Sequence, residues 1–287
     1  MIDLHIHTVA SDGQYPPSRI VELAVAHHLY AIAIADHNSV ESVAAGEAAA
    51  AAAGIRFAPA IAIDTIFRGR DLHLLGYFIA YQSPACRDYL DMIFAGKMDQ
   101  TRKRVARLNE LGFRLDFDEL IAYSGGRLPN GRQFIDLMKK RPENMAKPEF
   151  RAFVDGPRSN SPYLNFYLDY LKAGRPAFIP LDIQPTIGAI ERVKALGGVP
   201  VLAHPSDTPE ADVHALIDAG LRGLECYTSY HDAANAARWL KLATDRGVLV
   251  TAGTDYHGPE IKPEVKFAEL PGADDGLFEK LREAAGK

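Results

Sequence analysis

The sequence predicts an α/β protein, built on a parallel sheet or barrel, with a mostly helical segment inserted into it. Three features support this prediction. Short apolar runs alternate with segments of helical spacing near both ends of the chain, which is typical of parallel α/β folds. The alternation stops over about 90 central residues. Histidines and aspartates follow several of the apolar runs, and a barrel enzyme carries its site at the ends of its strands.

Before the inserted segment, the alternation is regular. Apolar runs of four to eight residues predict strands, and they lie at Ile2–Ile6, Ala31–Ala35, Phe57–Ile63 and Leu72–Phe78. Helical spacing is found at Pro17–His28 and Val40–Ala53, where Gly54 supplies a stop. The second helix is rich in alanine, the residue with the strongest helix propensity.

The central segment follows a different pattern, and strands return after it. Lys97–Leu111 has helical spacing, whereas residues 142–162 hold four prolines and are predicted to be mainly loop. Further strands are predicted at Val199–Ala203, Gly223–Tyr227 and Leu249–Ala252. We therefore expect a hydrolase barrel formed by residues 1–83 and 175–287, with a helical cap subdomain at 84–174.

Net charge, cysteine content and the length of apolar stretches argue against several classes of function. The formal net charge is −5 for 287 residues, and no basic stripe of the kind that binds duplex nucleic acid is evident. The two cysteines, Cys86 and Cys226, form neither a metal pair nor a disulfide framework. No basic start with an apolar run marks a signal peptide, and no apolar stretch nears the ~20 residues that span a bilayer. A cytoplasmic protein without a membrane partner is expected.

Histidines are concentrated where predicted strands begin or end. Six of the ten histidines have this position: His5, His7, His37, His73, His204 and His257. Because side chains alternate along a strand, His5 and His7 point to one face, about 6–7 Å apart. Two imidazoles on one face can converge on a metal ion. A hydrogen-bonded pair of core histidines is the structural alternative.

Carboxylates accompany these histidines. Asp12 lies in a Ser-Asp-Gly turn after the first strand, Asp36 precedes His37, and Asp255 stands two residues before His257. Aspartates at turns are common, so each one alone carries little weight. Histidines and carboxylates collected at the ends of five strands together predict a hydrolase centre with several metal ions.

Several segments, taken in order, resemble the polymerase and histidinol phosphatase (PHP) family. The matching segments are Asp3-Leu4-His5-Ile6-His7, Ser11-Asp12-Gly13, Ala35-Asp36-His37-Asn38, His73-Leu74-Leu75-Gly76-Tyr77, Gly197 to Pro205, Gly223-Leu224-Glu225-Cys226-Tyr227 and Gly253-Thr254-Asp255-Tyr256-His257-Gly258. The resemblance is strongest to the TrpH-like branch, whose members hydrolyse small phosphate esters, including nucleotide phosphates and short RNA ends. It implies a distorted (β/α)7 barrel with a helical cap.

The resemblance also implies a set of metal ligands. His5, His7 and Asp255 would hold one divalent ion, His73 and His204 a second, and Asp12, His37 and His257 a third. Two to three ions are expected, and nitrogen and oxygen ligands without thiolates suit Mn, Fe, Zn or Mg. In the cap, Arg132 matches the arginine with which this branch binds the substrate phosphate.

Two positions depart from the family pattern. The family's third strand ends in a glutamate that bridges two metals, and Ala62 stands at that place here. Asp64 lies two residues further on, and therefore on the same strand face, so it is a candidate metal ligand. A cap histidine of the family is replaced by Phe134, which cannot donate a hydrogen bond to phosphate.

These residues indicate a hydrolytic mechanism. Clustered divalent ions lower the pKa of bound water towards about 7 and neutralise phosphate oxygens, so the expected reaction is hydrolysis of a small phosphate ester, such as a nucleotide, by metal-activated hydroxide. The candidate catalytic residues are His37, His257 and Asp255; the two histidines, or a metal-bound water, would protonate the leaving oxygen. Arg132 would bind phosphate. His231, after the strand at Gly223–Tyr227, is a candidate substrate contact or an ordinary loop histidine.

Two alternatives remain open on the sequence. Metal-assisted hydrolysis of a C–N bond occurs in amidohydrolases on related barrels, but these usually carry a bridging lysine at a strand end, and no predicted strand here ends in one. Loss of the bridging glutamate at Ala62 is also consistent with a catalytically altered module that binds metal or phosphate. The sequence does not define the oligomeric state.

Overall fold

Strands form two sheets in the computed structural model, which describes residues 1–181 and 184–287. The first sheet has the order β1-β2-β3, with β1 at Ile2–Ile6, β2 at Ala31–Ile34 and β3 at Arg56–Phe57. The second has the order β4-β5-β6-β7-β8, with β4 at Ala60–Phe67, β5 at Arg70–Tyr77, β6 at Val199–Leu202, β7 at Gly223–Thr228 and β8 at Leu249–Gly253. The protein has a mixed α/β architecture.

The two sheets meet along both edges. The segment after β8 joins β1 through a parallel bridge between Ile6 and Tyr256, in which the His7 amide donates to the Tyr256 carbonyl at 2.9 Å. On the other side, the segment after β2 joins β4, and the Asn38 amide donates to the Ala62 carbonyl at 2.7 Å. The segments that follow β1, β2 and β8 are therefore held beside the second sheet.

The prediction of an entirely parallel sheet is wrong at β5. Strands β4 and β5 form an antiparallel hairpin, and β5 is also antiparallel to β6. Arg68 and Gly69, the two residues that connect β4 to β5, have φ values of 49° and 78°. Positive φ at both central residues is the mark of a type I′ turn, whose twist matches that of paired antiparallel strands. A two-residue connection leaves no room for the crossover that parallel strands need.

The predicted strand Phe57–Ile63 is also divided in the structure. Its first part, β3, pairs with β2, and the second part, β4, continues to Phe67. The division falls at Ala58 and Pro59. Proline has no amide hydrogen to donate to a ladder, and the Pro59 carbonyl instead accepts a hydrogen bond from the Phe78 amide at 2.6 Å.

Helices cover the sheets and form the central segment. In chain order they are α1 Pro17–Ala26, α2 Val43–Ala52, α3 Pro84–Glu110, α4 Phe117–Tyr123, α5 Gly131–Met138, α6 Pro142–Met145, α7 Pro148–Val154, α8 Pro162–Phe166, α9 Thr186–Ala195, α10 Glu210–Asp218, α11 Ala233–Arg246 and α12 Asp275–Ala284, with a π-helix at Tyr167–Leu171 after α8. Among the described residues, no helix has the length and apolar character needed to cross a bilayer.

The two faces of β4 have different partners. Ala60 and Ala62 pack in an interior cluster with Leu75 of β5, whereas Ile61 and Ile63 belong to a cluster that includes residues of α9. This alternation follows from the two-residue period of a strand. Asp64 is next in the interior series and pairs in register with His73, so the hairpin carries both side chains towards the site.

The central segment has its own apolar cluster. Its largest members are aromatic, and they include Phe113, Phe150, Phe153 and Phe166. Residues 142–162, predicted to be rich in loops, contain α6 and α7 and the start of α8, and each of these helices begins with a proline. Proline suits the first helical position, where its missing amide hydrogen costs no helical hydrogen bond. The division into a barrel and a cap subdomain stays a prediction.

Candidate metal centre

The strand directions bring the predicted ligands to one end of the sheets. His7, His37, His204 and Asp255 lie just beyond the carboxyl ends of β1, β2, β6 and β8. Strand β5 runs the other way, and its amino-terminal half, which carries His73, lies at this same end. A histidine near the start of an antiparallel strand therefore joins residues that follow parallel strands.

Three residues at this end have positive φ angles without being glycine. The values are 52° for Asn38, 24° for His204 and 57° for Asp255. Side chains with a Cβ atom rarely adopt this conformation, and it costs of order 1–3 kcal/mol at each position. The surrounding contacts must offset this cost, and such strain concentrates at functional sites.

His5, His7 and Asp255 form the first group of ligand atoms. The Nε2 atoms of the two histidines are 3.1 Å apart. Asp255 Oδ1 lies 3.5 Å from His5 Nε2 and 3.0 Å from His7 Nε2. All three side chains are buried. The two rings therefore converge on one carboxylate oxygen.

A second group comprises His7, Asp12, His37 and His257. Asp12 Oδ1 lies 3.2 Å from His257 Nε2 and 3.7 Å from His7 Nδ1. The rings of His7 and His257 stack with their centroids 4.0 Å apart. His7 thus belongs to two groups and lies between them.

His37, Asp64 and His73 form the third group. Asp64 Oδ1 is 2.9 Å from His37 Nδ1 and 3.7 Å from His73 Nε2. Asp64 also pairs through its other oxygen with Lys97 of α3 and accepts a hydrogen bond from Asn38 at 2.9 Å. The carboxylate is therefore directed at the histidines.

His204 lies between two of these groups without joining either. Its ring stacks on His5 at a centroid distance of 5.7 Å and meets the edge of His73 at 5.2 Å. Its Nε2 atom is buried and has no hydrogen-bond partner in the described chain.

Several buried atoms of these side chains have the properties of metal ligands. Buried ligand atoms without a hydrogen-bond partner among the described residues include Asp12 Oδ1, His37 Nδ1, His204 Nε2, Asp255 Oδ1 and His257 Nε2. Most of these atoms lie within 4 Å of another candidate ligand, but the pairs do not have the geometry of a hydrogen bond. Buried polar atoms normally have partners. Buried nitrogen and carboxylate oxygen atoms that converge in this way suit a divalent cation such as Zn, Mn or Fe.

The surroundings of these side chains set their charge. Burial would lower the pKa of His37, but Asp64 and Asp12 raise it to about 9, so this imidazole must lose a proton before it binds a cation. Burial, together with neighbouring histidines, lowers the pKa of His73 and of His204 to about 3, so both imidazoles are neutral ligands. Burial would raise the pKa of Asp255, but Lys262, His257 and His5 hold it well below its usual range. Asp12 behaves in the same way next to His257. Neutral imidazoles and ionised carboxylates are the forms that bind metal.

Sequence reasoning assigned no role to several residues of the site. Glu225 of β7 is fully buried, with Oε1 3.0 Å from His5 Nδ1 and Oε2 accepting from the His204 amide at 2.9 Å. Such carboxylates orient the histidines of metal sites. Lys97 and Lys262 pair with Asp64 and Asp255, respectively. A glutamate inside an otherwise apolar strand was a detectable signal; the lysines, on a helix and a loop, gave none.

The central segment contributes to a cavity of about 600 Å³ beside the candidate metal ligands. Its lining includes Asp12, His37, Asp64, His73 and His257. It also includes five cationic side chains, those of Lys97, Arg104, Arg127, Arg132 and Lys262. A cavity with carboxylates and imidazoles at one wall and cations around it favours an anionic ligand together with metal ions.

The two predicted substrate contacts have different surroundings. Arg132, in the first turn of α5, lines this cavity, lies over the Tyr163 ring at 5.8 Å and is 3.6 Å from Asp136. His231 lies after β7, and its Nδ1 donates to the Cys226 carbonyl at 2.9 Å, so one of its nitrogens is already engaged. Phe134 is buried in the aromatic cluster of the central segment, where a histidine would be costly.

Comparison with known proteins adds to this geometry. Residues 3–128 match the PHP domain. The 3′,5′-nucleoside bisphosphate phosphatase of Chromobacterium violaceum is 24% identical, over 90% of this chain and 87% of its own. The phosphoribosyl 1,2-cyclic phosphate 1,2-diphosphodiesterase of Eggerthella lenta is 26% identical, over 94% and 96%. The 5′-3′ exoribonuclease Rnm of Salmonella typhimurium is 26% identical, over 89% and 81%.

Solved structures share the fold. A protein described as an amidohydrolase from Chromobacterium violaceum, with bound sulfate and no metal, matches with a TM-score of 0.79 at 24% identity, covering 99% of this chain and 96% of its own. A protein assigned as a metal-dependent phosphoesterase from Bifidobacterium adolescentis matches with a TM-score of 0.74 at 25% identity, covering 98% and 94%. These comparisons confirm the resemblance that the strand-end motifs indicated, and residues 3–128 are the part of the chain that matches the PHP domain.

Proposed function

We propose that this protein is a metal-dependent phosphoric ester hydrolase whose substrate is a small phosphate ester, such as a nucleotide. The observation that carries the proposal is the set of buried, unpartnered ligand atoms at the wall of a cation-lined cavity. Relatives named as a phosphatase, a phosphodiesterase and an exoribonuclease support the same reaction class. They do not support the expected exclusion of nucleic acid, so an RNA end is kept as a second candidate substrate.

Divalent ions at such a centre would supply an activated water and neutralise phosphate oxygens. The protein's own residues position them. His5, His7 and Asp255 are the proposed ligands of one ion, and Asp12, His37 and His257 are those of another, as their convergence suggests. His73 and His204 are the proposed ligands of a third ion.

Asp64 is proposed to compensate for the missing bridging glutamate. Ala62 brings only a methyl group to the interior face, and Asp64 is the next side chain on that face. Its Oδ1 atom lies near both His37 and His73, which supports direct ligation. Lys97 holds the second oxygen, which fixes the direction of the first.

The catalytic roles follow from position. His37 and His257 line the cavity; where no ion occupies their position, we assign them to protonation of the leaving oxygen. Asp255, engaged by Lys262 and Tyr230 on one oxygen, would hold the metal with the other. Arg132, on the cap side of the cavity, would bind phosphate oxygens as a planar donor.

The architecture that supports this function is proposed to be a distorted seven-stranded barrel with a helical cap. The bridges between β1 and the segment after β8, and between β4 and the segment after β2, support closure of the two sheets. In this arrangement β3 and β4 act as one bent strand. The helices of the central segment would cover the site because Lys97 of α3 reaches Asp64.

The test is a substrate screen with defined metals. Purified protein would be freed of metal with a chelator and reloaded with Mn²⁺, Zn²⁺, Fe²⁺ or Mg²⁺. Phosphate release would then be measured from nucleoside monophosphates, nucleoside bisphosphates and sugar phosphates, and nucleotide release from a short 5′-phosphorylated RNA. The proposal expects activity that is lost on chelation and restored by at least one metal. Absence of hydrolysis with every metal would instead favour a binding module.

A further inference from the structure

The turn that carries Asp12 is held from one side by Asp36. The Thr8 amide and the Ser11 hydroxyl each donate to Asp36 Oδ1 at 2.7 Å, and the Thr8 hydroxyl donates to the other carboxylate oxygen at 2.7 Å. Within the turn, the Gly13 amide donates to the Thr8 carbonyl at 2.9 Å. Hydrogen bonds to a charged group are stronger than neutral ones, so these contacts fix the turn relative to the end of β2.

Asn130 reaches this turn from the central segment. Its Nδ2 atom donates to the Ser11 carbonyl, which belongs to the peptide that leads to Asp12, at 3.2 Å. At the other end of the side chain, Oδ1 accepts from the Gln133 amide at 3.3 Å, and Gln133 Oε1 accepts from the Asn130 amide at 2.9 Å. A carbonyl can only accept and a backbone amide can only donate. The two partners therefore determine which end of the side chain carries its oxygen.

The contact with Gln133 begins the helix that carries Arg132. Asn130 is the N-cap of α5, and its exchange of hydrogen bonds with Gln133 forms a capping box. Arg132 lies in the first turn of this helix and lines the cavity. One amide side chain therefore joins the start of the helix that carries Arg132 to the turn that carries Asp12.

Few other contacts join the start of α5 to this turn. Among the described residues, the connection between α4 and α5 makes one other hydrogen bond to the turn, from Arg127 Nη1 to the Val9 carbonyl at 3.4 Å, which is long for a hydrogen bond. Gly125 and Gly126 have φ angles of 66° and 78°, and beyond their chain neighbours no atom lies within 4 Å of the place that a Cβ would take. Because packing constrains this connection so little, the Asn130 contact has a direct influence on where α5 begins.

We propose that Asn130 is a positioning residue, which sets the distance between Arg132 and Asp12 and so aligns the phosphate-binding side of the cavity with the metal-binding side. Because Asp36 already holds the turn, loss of the Asn130 contact should move the start of α5 and leave the turn in place. The consequence is weaker phosphate binding with unchanged metal binding. This inference rests on the proposed function, in which Arg132 binds phosphate and Asp12 binds metal.

Asn130→Ser separates the two contacts of this side chain. Serine is as favourable an N-cap as asparagine, and with Gln133 at the third helical position it keeps the capping box. Serine is also shorter, so its hydroxyl does not extend from the helix to the Ser11 carbonyl. Asn130→Ala removes both contacts. The thermal unfolding midpoint of Asn130→Ser should therefore stay closer to that of the wild type than the midpoint of Asn130→Ala does.

Two measurements report the effect: the Kd of inorganic phosphate, by calorimetry on metal-loaded protein, and the KM of the best substrate. We expect Asn130→Ser to raise both by about two- to tenfold, the factor that corresponds to one neutral hydrogen bond, with unchanged metal content. In the Arg132→Ala background the same change should have no further effect, because residues that act through one another are not additive. Asn235→Ser is the control; it makes the same change on α11, away from the cavity, and should leave both values unaltered.

The inference alone is overturned if Arg132→Ala weakens phosphate binding and Asn130→Ser does not. It is also overturned if Asn130→Ser keeps its full effect beside Arg132→Ala, because Asn130 would then act elsewhere, or if Asn130→Ser loses metal, because the turn would then have moved. Unchanged phosphate binding in Arg132→Ala would refute both the proposed role of Arg132 and this inference. If no ester is hydrolysed, the proposed function fails, whereas the phosphate Kd still decides the role of Asn130.

Discussion

Glu225 provides the most specific test of how a residue outside the ligand set orients the candidate metal ligands. Its carboxylate is fully buried and contacts the His5 ring at 3.0 Å and the His204 amide at 2.9 Å. The contact with Nδ1 directs the Nε2 atom of His5 towards His7 and Asp255. Replacement of Glu225 by glutamine keeps the length of the side chain and removes its charge. One of the two amide positions can then only donate, although both contacts need an acceptor.

The size of the effect follows from these two contacts. A hydrogen bond to a charged group contributes about 1.5–3 kcal/mol, compared with about 0.5–1.5 kcal/mol for a neutral one. Weakening of one bond and mismatch of the other therefore costs on the order of 1.5–3 kcal/mol. Loss of such an orienting carboxylate typically reduces metal affinity 10–100-fold. We expect Glu225→Gln to weaken binding of the tightest Mn²⁺ or Zn²⁺ ion by about that factor.

The assay is a competition titration against a fluorescent chelator, with elemental analysis after dialysis as a second measure. Glu283→Gln is the matched control, because Glu283 lies exposed on α12 and its replacement should leave affinity unchanged. Circular dichroism and the thermal unfolding midpoint of the metal-free proteins would show that the variant is folded. A folded Glu225→Gln protein with wild-type metal affinity would refute the reasoning, since the carboxylate would then serve packing alone.

Three further predictions concern the remaining site residues. His7→Ala should lower metal content and phosphatase activity together, because His7 belongs to two ligand groups; unchanged metal content by elemental analysis would contradict this. Arg132→Ala should raise KM about tenfold or more without changing metal content, as expected for loss of a charged hydrogen bond; an unaltered KM would place its guanidinium outside the substrate contacts. Asp64→Asn should weaken metal binding with little change of shape, and Ala62→Glu should raise metal occupancy. Full occupancy in Asp64→Asn would show that Asp64 does not compensate for Ala62.

Local patterns in the sequence were sufficient for much of the framework. The apolar runs identified β1, β2, β6, β7 and β8 to within a few residues, because strands that are buried on both faces are mostly apolar. The Asp-His and His-x-His motifs at strand ends were likewise readable, since parallel strands present their carboxyl ends together. The mixed α/β class and the relationship to PHP phosphoesterases both followed from these local signals.

Two predictions from the sequence differ from the structure, and each depends on residues that suit more than one kind of local structure. Arg68-Gly69 was not recognised as a hairpin turn, so β5 was expected to run parallel. The four prolines of residues 142–162 predict loops, whereas Pro142, Pro148 and Pro162 begin helices. In both cases one residue type serves two structures, and neighbouring contacts decide between them.

The sequence by itself determined which histidines and aspartates lie at strand ends. It also determined that Ala62 stands where the family has a glutamate. Only the tertiary structure decided how these residues group and what surrounds them. It placed Glu225 behind His5, brought Lys97 from α3 to Asp64, and brought the half-buried Arg104 to the lining of the same cavity. Helical and strand periodicity fix the face on which a side chain lies. The partner that it meets across the cavity depends on the packing of segments distant in sequence, and no local pattern encodes that packing.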